Sequence, residues 1–303
     1  MALRYWAIII TLGIGWGMSF MFNAVLLREL GPLWIATGRV GFGAVGCWVF
    51  LLARGRDWRL PPARIAMLAG FGALSYAIPF SCYAIGQQHI ASGVAGIVNA
   101  CTPALAVLVT HFWPGGERAT WLKSLGVAAG LCGIVILSLP ILQNGDPSRV
   151  WAVLVTLGAP MCYALSVNLA RQFRDLEPVV LVTWALTGAT LCVLPLALWA
   201  EGLPGRPSAA VWGALLVIGL VLTSAAFIVF YWVLPKVGPT NITLPTLIAP
   251  TSALTLGVMV LGEELAVSHL AGLFAILLGL LLIDGRLFRR RGRRAGFQDQ
   301  PNG

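Results

Sequence analysis

Residues 102–133 read TPALAVLVTHFWPGGERATWLKSLGVAAGLCG, and residues 249–279 read APTSALTLGVMVLGEELAVSHLAGLFAILLG. The two stretches carry the same landmarks in the same order. Pro103, Glu117, Gly126 and Gly133 in the first answer to Pro250, Glu263, Gly272 and Gly279 in the second. Glutamate to first glycine is nine residues in both, and glycine to glycine is seven. Upstream, Ser75 and Tyr83 pair with Thr223 and Tyr231, Asn23 with Asn168, and Pro32 with Pro178, at offsets of 145 to 148 residues. A period of half the chain marks an internal duplication.

What is duplicated is a set of membrane spans. The chain is 58% hydrophobic and only 10% charged, with a mean hydropathy of +0.87; soluble domains carry roughly 25% charged residues. Apolar runs long enough to cross a bilayer core of roughly 30 Å fall at 5–27, 34–53, 65–87, 91–113, 121–139, 150–170, 179–200, 210–234, 240–261 and 269–285. Five precede the polar stretch 143–149 and five follow it. Five is odd, so halves of like fold must lie upside down relative to each other. The expected fold is therefore an all-α integral membrane protein of ten transmembrane helices, built as two five-helix inverted repeats. The first repeat is expected over 1–143, the second over 150–285, and a basic tail over 286–303. Inverted repeats are characteristic of secondary transporters.

Basic residues orient the chain. With the N-terminus inside, the cytoplasmic side receives sixteen: Arg4; Arg54, Arg56, Arg59 and Arg64; Arg118 and Lys123; Arg171 and Arg174; Lys236; and Arg286, Arg289, Arg290, Arg291, Arg293 and Arg294. The other side receives three, Arg28, Arg149 and Arg206. The positive-inside rule places both termini in the cytoplasm. The same bias accounts for the +9 net charge. A basic cluster just after a last span is an orientation signal that contacts anionic membrane lipid, and no nucleic-acid partner is expected.

Several chemistries are missing. The six cysteines, Cys47, Cys82, Cys101, Cys132, Cys162 and Cys192, all lie within spans and make no CxxC or Cys/His pattern, so neither a disulfide framework nor a metal site is expected. There is no GxxxxGK[ST], HExxH or GxSxG motif, and His89, His111 and His269 are scattered. No catalytic residue and no cofactor is expected. Glu117, Glu263, Glu264 and Asp284 all fall near span ends. With no acid in the middle of a span, transport is expected to be facilitated, or coupled through residues other than a buried carboxylate.

The residues suited to line a path are milder. Arg39 is the one basic residue well inside a span; it is either functional or snorkels to the nearby span end. Its repeat mate is Trp184. Polar residues gather in four spans: Ser75, Tyr76, Ser81 and Tyr83; Ser92, Asn99 and Thr102; Thr223, Ser224 and Tyr231; and Thr240, Asn241, Thr243, Thr246 and Thr251. Such groups must be satisfied within protein or by water, so these spans face the bundle interior unless each hydroxyl bonds back to its own helix. Pro79, Pro103, Pro245 and Pro250 are the expected hinges, because proline removes a donor and crowds the preceding turn. Trp16, Tyr76, Tyr83, Tyr163 and Trp184 lie inside spans, away from the headgroup belts; they either pack or stack on a solute and attract a cation. The expected substrate-binding set is Trp16, Asn23, Arg39, Ser75, Tyr76, Tyr83, Asn99, Tyr163, Thr223, Tyr231 and Thr246. It lies in a cavity between spans 1, 3, 4, 6, 8 and 9. Spans 5 and 10 are glycine-rich scaffold, at Gly126, Gly130, Gly133, Gly272 and Gly279, where the two halves meet or two protomers form a homodimer.

Gly15-Trp16-Gly17 with Phe20, Gly31-Pro32 leading to Arg39, and Thr102-Pro103 running to Glu117 and Gly126 recur in part as Ala249-Pro250 running to Gly262-Glu263 and Gly272. In this order and duplication they resemble the drug/metabolite transporter superfamily, specifically its ten-span EamA-type members. The resemblance covers residues 1–285. It implies an inner-membrane transporter, often an exporter, of amino acids, metabolites or drugs; the nearest likeness is to aromatic amino-acid exporters. The related four-span multidrug exporters bear a coupling glutamate in span 1, whereas Ile14–Phe20 here holds none.

Overall fold

The protein is described by a computed structural model over residues 3–143, 147–241 and 244–284. Thr243, the loop around Asp146, the tail from 285 and the side chains of Thr240 and Asn241 lie outside the described residues. Among the described residues, nine helices are long and apolar enough to cross a membrane, and Pro245–Leu261 is a shorter apolar tenth. In chain order they are α1 (Leu3–Leu26), α2 (Pro32–Ala53), α3 (Pro62–Gly86), α4 (Ser92–Phe112), α5 (Trp121–Gln143), α6 (Pro147–Leu169), α7 (Pro178–Glu201), α8 (Ala209–Val237), α9 (Pro245–Leu261) and α10 (Val267–Asp284). Helices satisfy their own backbone, which hydrocarbon demands. Pro32, Pro62, Pro178 and Pro245 each open a helix, where the missing N–H has no intrahelical partner to lose.

The interior prolines behave unequally. Pro103 follows a break at Ala100–Cys101 that splits α4 into Ser92–Asn99 and Thr102–Phe112. Its mate Pro250 lies inside a continuous α9. Pro245, read above as interrupting a span over 240–261, instead opens α9, where its missing N–H has no intrahelical partner to lose. Pro79 directly follows a wide π-turn, Ala73–Ala77, in α3. In α8 a π-stretch, Val217–Ala225, occupies the matching place without any proline. Ser75 and its mate Thr223 both sit in these wide turns.

Helix pairings come in exchanged sets. α1 packs on α9 as α6 packs on α4, and α2 packs on α8 as α7 packs on α3. α5 pairs with α10. There the glycines are reciprocal: a Cβ on Gly126 would meet the Gly279 carbonyl and one on Gly133 the Gly272 carbonyl, while the reverse contacts hold for Gly279 and Gly272. Small residues let these backbones touch where any side chain would separate them. The glycine stripe is thus occupied within the chain. Outward faces carry large apolar side chains such as Val49, Leu191, Trp199 and Phe274, a surface suited to lipid rather than water.

Candidate functional site

Connectivity gives the bundle a near end, where α1 begins, and a far end, where α1 finishes. Between them lies a cavity of about 380 Å³. Its wall comes from α1 (Trp16, Ser19, Phe20), α2 (Arg39), α3 (Phe71, Ser75, Tyr76, Phe80, Tyr83), α4 (Asn99, Thr102), α8 (Phe227, Phe230, Tyr231) and α9 (Thr246). Tyr163, Ser166 and Val167 on α6 and Ala170 just beyond it complete the wall. Of the expected binding residues, the fold brings Trp16, Arg39, Ser75, Tyr76, Tyr83, Asn99, Tyr163, Tyr231 and Thr246 to this cavity. Asn23 and Thr223 go elsewhere.

Arg39 lies seven residues inside α2, about 10 Å from the helix start. It does not snorkel. Arg39 is 8% exposed as a residue, and its guanidinium turns inward, with Nε donating to Thr223 Oγ1 at 3.2 Å and Nη2 to Ser19 Oγ at 3.3 Å. Its carbon sits 3.8 Å from the centre of the Phe80 ring. Thr223 is fully buried behind it and donates to the Ile218 carbonyl at 2.8 Å. That i−5 bond belongs to the π-stretch, so the wide turn positions the hydroxyl that holds Arg39.

The polar lining is largely paired already. Tyr83 OH donates to Asn99 Oδ1 at 2.6 Å, and Thr102 Oγ1 donates to the Asn99 carbonyl at 2.7 Å across the break in α4. Ser75 Oγ donates to Ser166 Oγ at 2.9 Å. Aromatic rings make the rest of the wall. Phe20 meets Tyr83 edge-on at 5.1 Å, Tyr76 meets Phe227 at 5.4 Å, and Trp16 lies against Phe227 and Phe230 at 6.1 and 5.6 Å. Trp184, the mate of Arg39, packs instead against Trp48 and donates to the Trp58 carbonyl near the opposite end.

Sequence reasoning missed Gln87, Ser166, Phe80 and Phe227. Gln87 is buried; its Nε2 donates to the Phe20 carbonyl at 2.8 Å and its Oε1 accepts from Asn23 Nδ2 at 3.1 Å. Asn23 therefore belongs to a buried polar plug on the far side of the cavity. Gln87 sits at the end of an apolar run, where a polar residue draws no notice. Its own signal was the pairing Asn23–Asn168, since Asn168 likewise bonds across helices, to Thr110 Oγ1 at 3.0 Å.

Beyond the plug, carboxylates close the far end. Glu263 accepts from the Ser92 and Gly93 amides at 2.6 and 3.0 Å, capping α4. Glu201 accepts from Leu33 and Trp34 at 2.9 and 3.2 Å, capping α2. Glu29 accepts from the Ser208 amide and hydroxyl at 2.7 and 2.8 Å, just ahead of α8. These donors hold the Glu29 carboxyl below its ordinary range. Orphan amides and the helix dipole both favour an anion there. The near end is held by exposed ion pairs, Arg64–Asp175 at 2.7 Å and Arg56–Glu177 at 3.6 Å. Thr246, in the first turn of α9, and Ala170, just after α6, bring the cavity wall to that end.

The sequence signature of the EamA-like transporter family matches residues 4–139 and again residues 150–284. The chain belongs to the EamA-like transporter family. The two matched segments divide the chain where the paired landmarks do. Relatives span nearly its whole length. The "Uncharacterized transporter YoaV" of Bacillus subtilis is 22% identical over 93% of this chain and 97% of its own. A protein of Streptantibioticus cattleyicolor named "Probable terminal-alkyne amino-acid exporter" is 24% identical over 94% and 95%. The "Uncharacterized inner membrane transporter YedA" of Escherichia coli K12 is 24% identical over 88% and 86%. A crystal structure 20% identical in sequence superposes with a TM-score of 0.67 over 96% of this chain and 99% of that one, which supports the fold. This EamA-like chain is a multi-pass membrane transporter.

Proposed function

We propose that this transporter exports small organic solutes, amino acids or related metabolites, across the bacterial inner membrane by alternating access. The observation that carries the reading is the central cavity. It is walled by aromatic rings, holds one buried cation, reaches the near end and is plugged at the far end. Solute sites at mid-membrane between two repeats suit this mode of transport. The sixteen-to-three bias of Lys and Arg makes the near end cytoplasmic, with both termini there, so this is an inward-facing arrangement. Export requires the far-end caps and plug to release as the near end closes. The break beside Pro103 and the π-turns beside Ser75 and Thr223 are where the helices give. The Streptantibioticus relative's name points to the amino-acid class.

Counterflow into proteoliposomes against a panel of radiolabelled amino acids tests the proposal. Saturable uptake of at least one aromatic or apolar member, reduced by Trp16→Ala and Tyr83→Ala at equal abundance, is the expected result. No counterflow of any panel member would remove the amino-acid reading. A periplasm-active reporter that is active when fused after Arg290 and silent after Gly145 would reverse the topology.

A further inference from the structure

Among the described residues, the interior of the bundle holds a charge with no carboxylate paired to it. Arg39 is 8% exposed and uses two of its N–H donors on neutral hydroxyls, Ser19 and Thr223. Among the described residues no carboxylate pairs with it or lines the cavity. Glu29, Glu201 and Glu263 are committed to amides at the far end, and Glu117, Asp175 and Glu177 to basic partners on the surface. A buried guanidinium without an anion is costly, and a planar fork of donors matches a carboxylate. Nothing in the wall offers the complementary charge to an ammonium. The best neutral acceptor, Asn99 Oδ1, already receives the Tyr83 hydroxyl at 2.6 Å. Sharing the cavity wall with the cation are rings that suit an apolar or aromatic body, among them Tyr76, Phe227 and Trp16.

We infer that Arg39 is the recognition point for a carboxylate carried by an aromatic or apolar solute, and that the site selects for the carboxylate rather than for an amine. The inference rests on the transport reading above and narrows it. An amino acid enters through its acid group, its deaminated counterpart is accepted as well, and its decarboxylated amine is refused. Ser19 and Thr223 are positioning residues that hold the guanidinium toward the cavity.

The test is binding of four probes to the purified full chain, read by intrinsic tryptophan fluorescence or calorimetry. They are 3-phenylpropionate, L-phenylalanine, phenethylamine and 3-phenylpropanamide. The two carboxylates are expected to bind at least tenfold more tightly than the amine and the amide. Arg39→Gln should erase that preference, Arg39→Lys should keep part of it, and Thr223→Val should weaken carboxylate binding without altering the weak binding of the amide. Should Arg39→Gln fail to fold, the ranking on the native chain and the lysine variant still decide. Equal binding of all four probes, or a carboxylate preference that survives in Arg39→Gln, overturns the inference. If counterflow occurs but ignores the carboxylate, the inference falls and the transport reading stands. If the carboxylates bind through Arg39 and no counterflow occurs, the reverse holds. Binding of none of the probes overturns the inference.

Discussion

Glu117 and Glu263 hold the same place in the two halves and end in opposite circumstances. Glu263 follows Gly262, whose left-handed φ of 68° closes α9. Two nested bonds close the turn, the Glu263 amide to the Gly257 carbonyl at 3.0 Å and the Gly262 amide to the Val258 carbonyl at 3.2 Å. It delivers the carboxylate to two amides of α4, a helix of the other half. Glu117 follows two glycines in an exposed loop and pairs with Lys123 at 2.6 Å, its side chain 71% exposed. That lysine keeps the Glu117 carboxyl below its ordinary range. The difference is one of environment. At the far end the chain joins its halves through carboxylates on helix starts; at the near end water and surface charges do the work, and the cavity reaches out.

Four substitutions break or sharpen this contrast. The largest effect is expected for Glu263→Gln. One amide oxygen cannot replace two carboxylate oxygens, so a buried N–H at Ser92 or Gly93 is stranded at a cost of about 2 kcal/mol. Thermal unfolding of the purified protein should show the loss, and a cysteine placed at 99 should label faster from the far side. An unchanged melting temperature would mean the cap is not closed in the membrane. Next comes Gly262→Ala. A Cβ there meets no neighbour, so the cost is conformational, about 1 kcal/mol, and it should be non-additive with Glu263→Gln because the turn acts through the cap. Full additivity in a double-mutant cycle would separate turn from cap.

Glu29→Gln should be smaller and pH-dependent. Its carboxyl titrates below the ordinary 4.5 in the folded protein. Its contribution is therefore present above the unfolded value and vanishes as pH falls through the folded one. The melting-temperature gap between wild type and Glu29→Gln should close on acidification; a gap that persists in acid would assign the effect to packing. Last, Glu117→Gln should change stability by less than about 0.5 kcal/mol, as exposed ion pairs do. A loss as large as that of Glu263→Gln would make the two ends equivalent and remove the contrast.

The paired landmarks are legible because they are written in spacing: proline, glutamate and glycines recur at fixed distances whatever their surroundings. Much of the cavity was legible for a related reason. Tyr83 and Asn99 are polar groups in apolar runs, which hydrocarbon rejects, so they were expected to point inward. The failures were of two kinds. Thr223 and Asn23 were polar and interior but serve other side chains, Arg39 and Gln87, and periodicity cannot tell a wall residue from the one behind it. Phe80 and Phe227 are apolar in apolar runs and send no signal at all, yet they supply the ring over Arg39 and part of the cavity wall.

By itself the sequence determined that this chain crosses the membrane about ten times, that the same landmarks recur in both halves, and that its acids stand at helix ends. These follow from composition and local spacing, which act along the chain. Tertiary structure alone decided that Glu263 caps a helix of the other half while Glu117 meets water, and that Pro245 begins a helix. It alone turned Arg39 inward to a cavity with no acid among its described lining residues. Those outcomes depend on which surfaces approach one another across 150 residues or more, as between Glu263 and Ser92 at a separation of 171, where hydrogen-bond partners and burial are set by packing and not by neighbours in sequence.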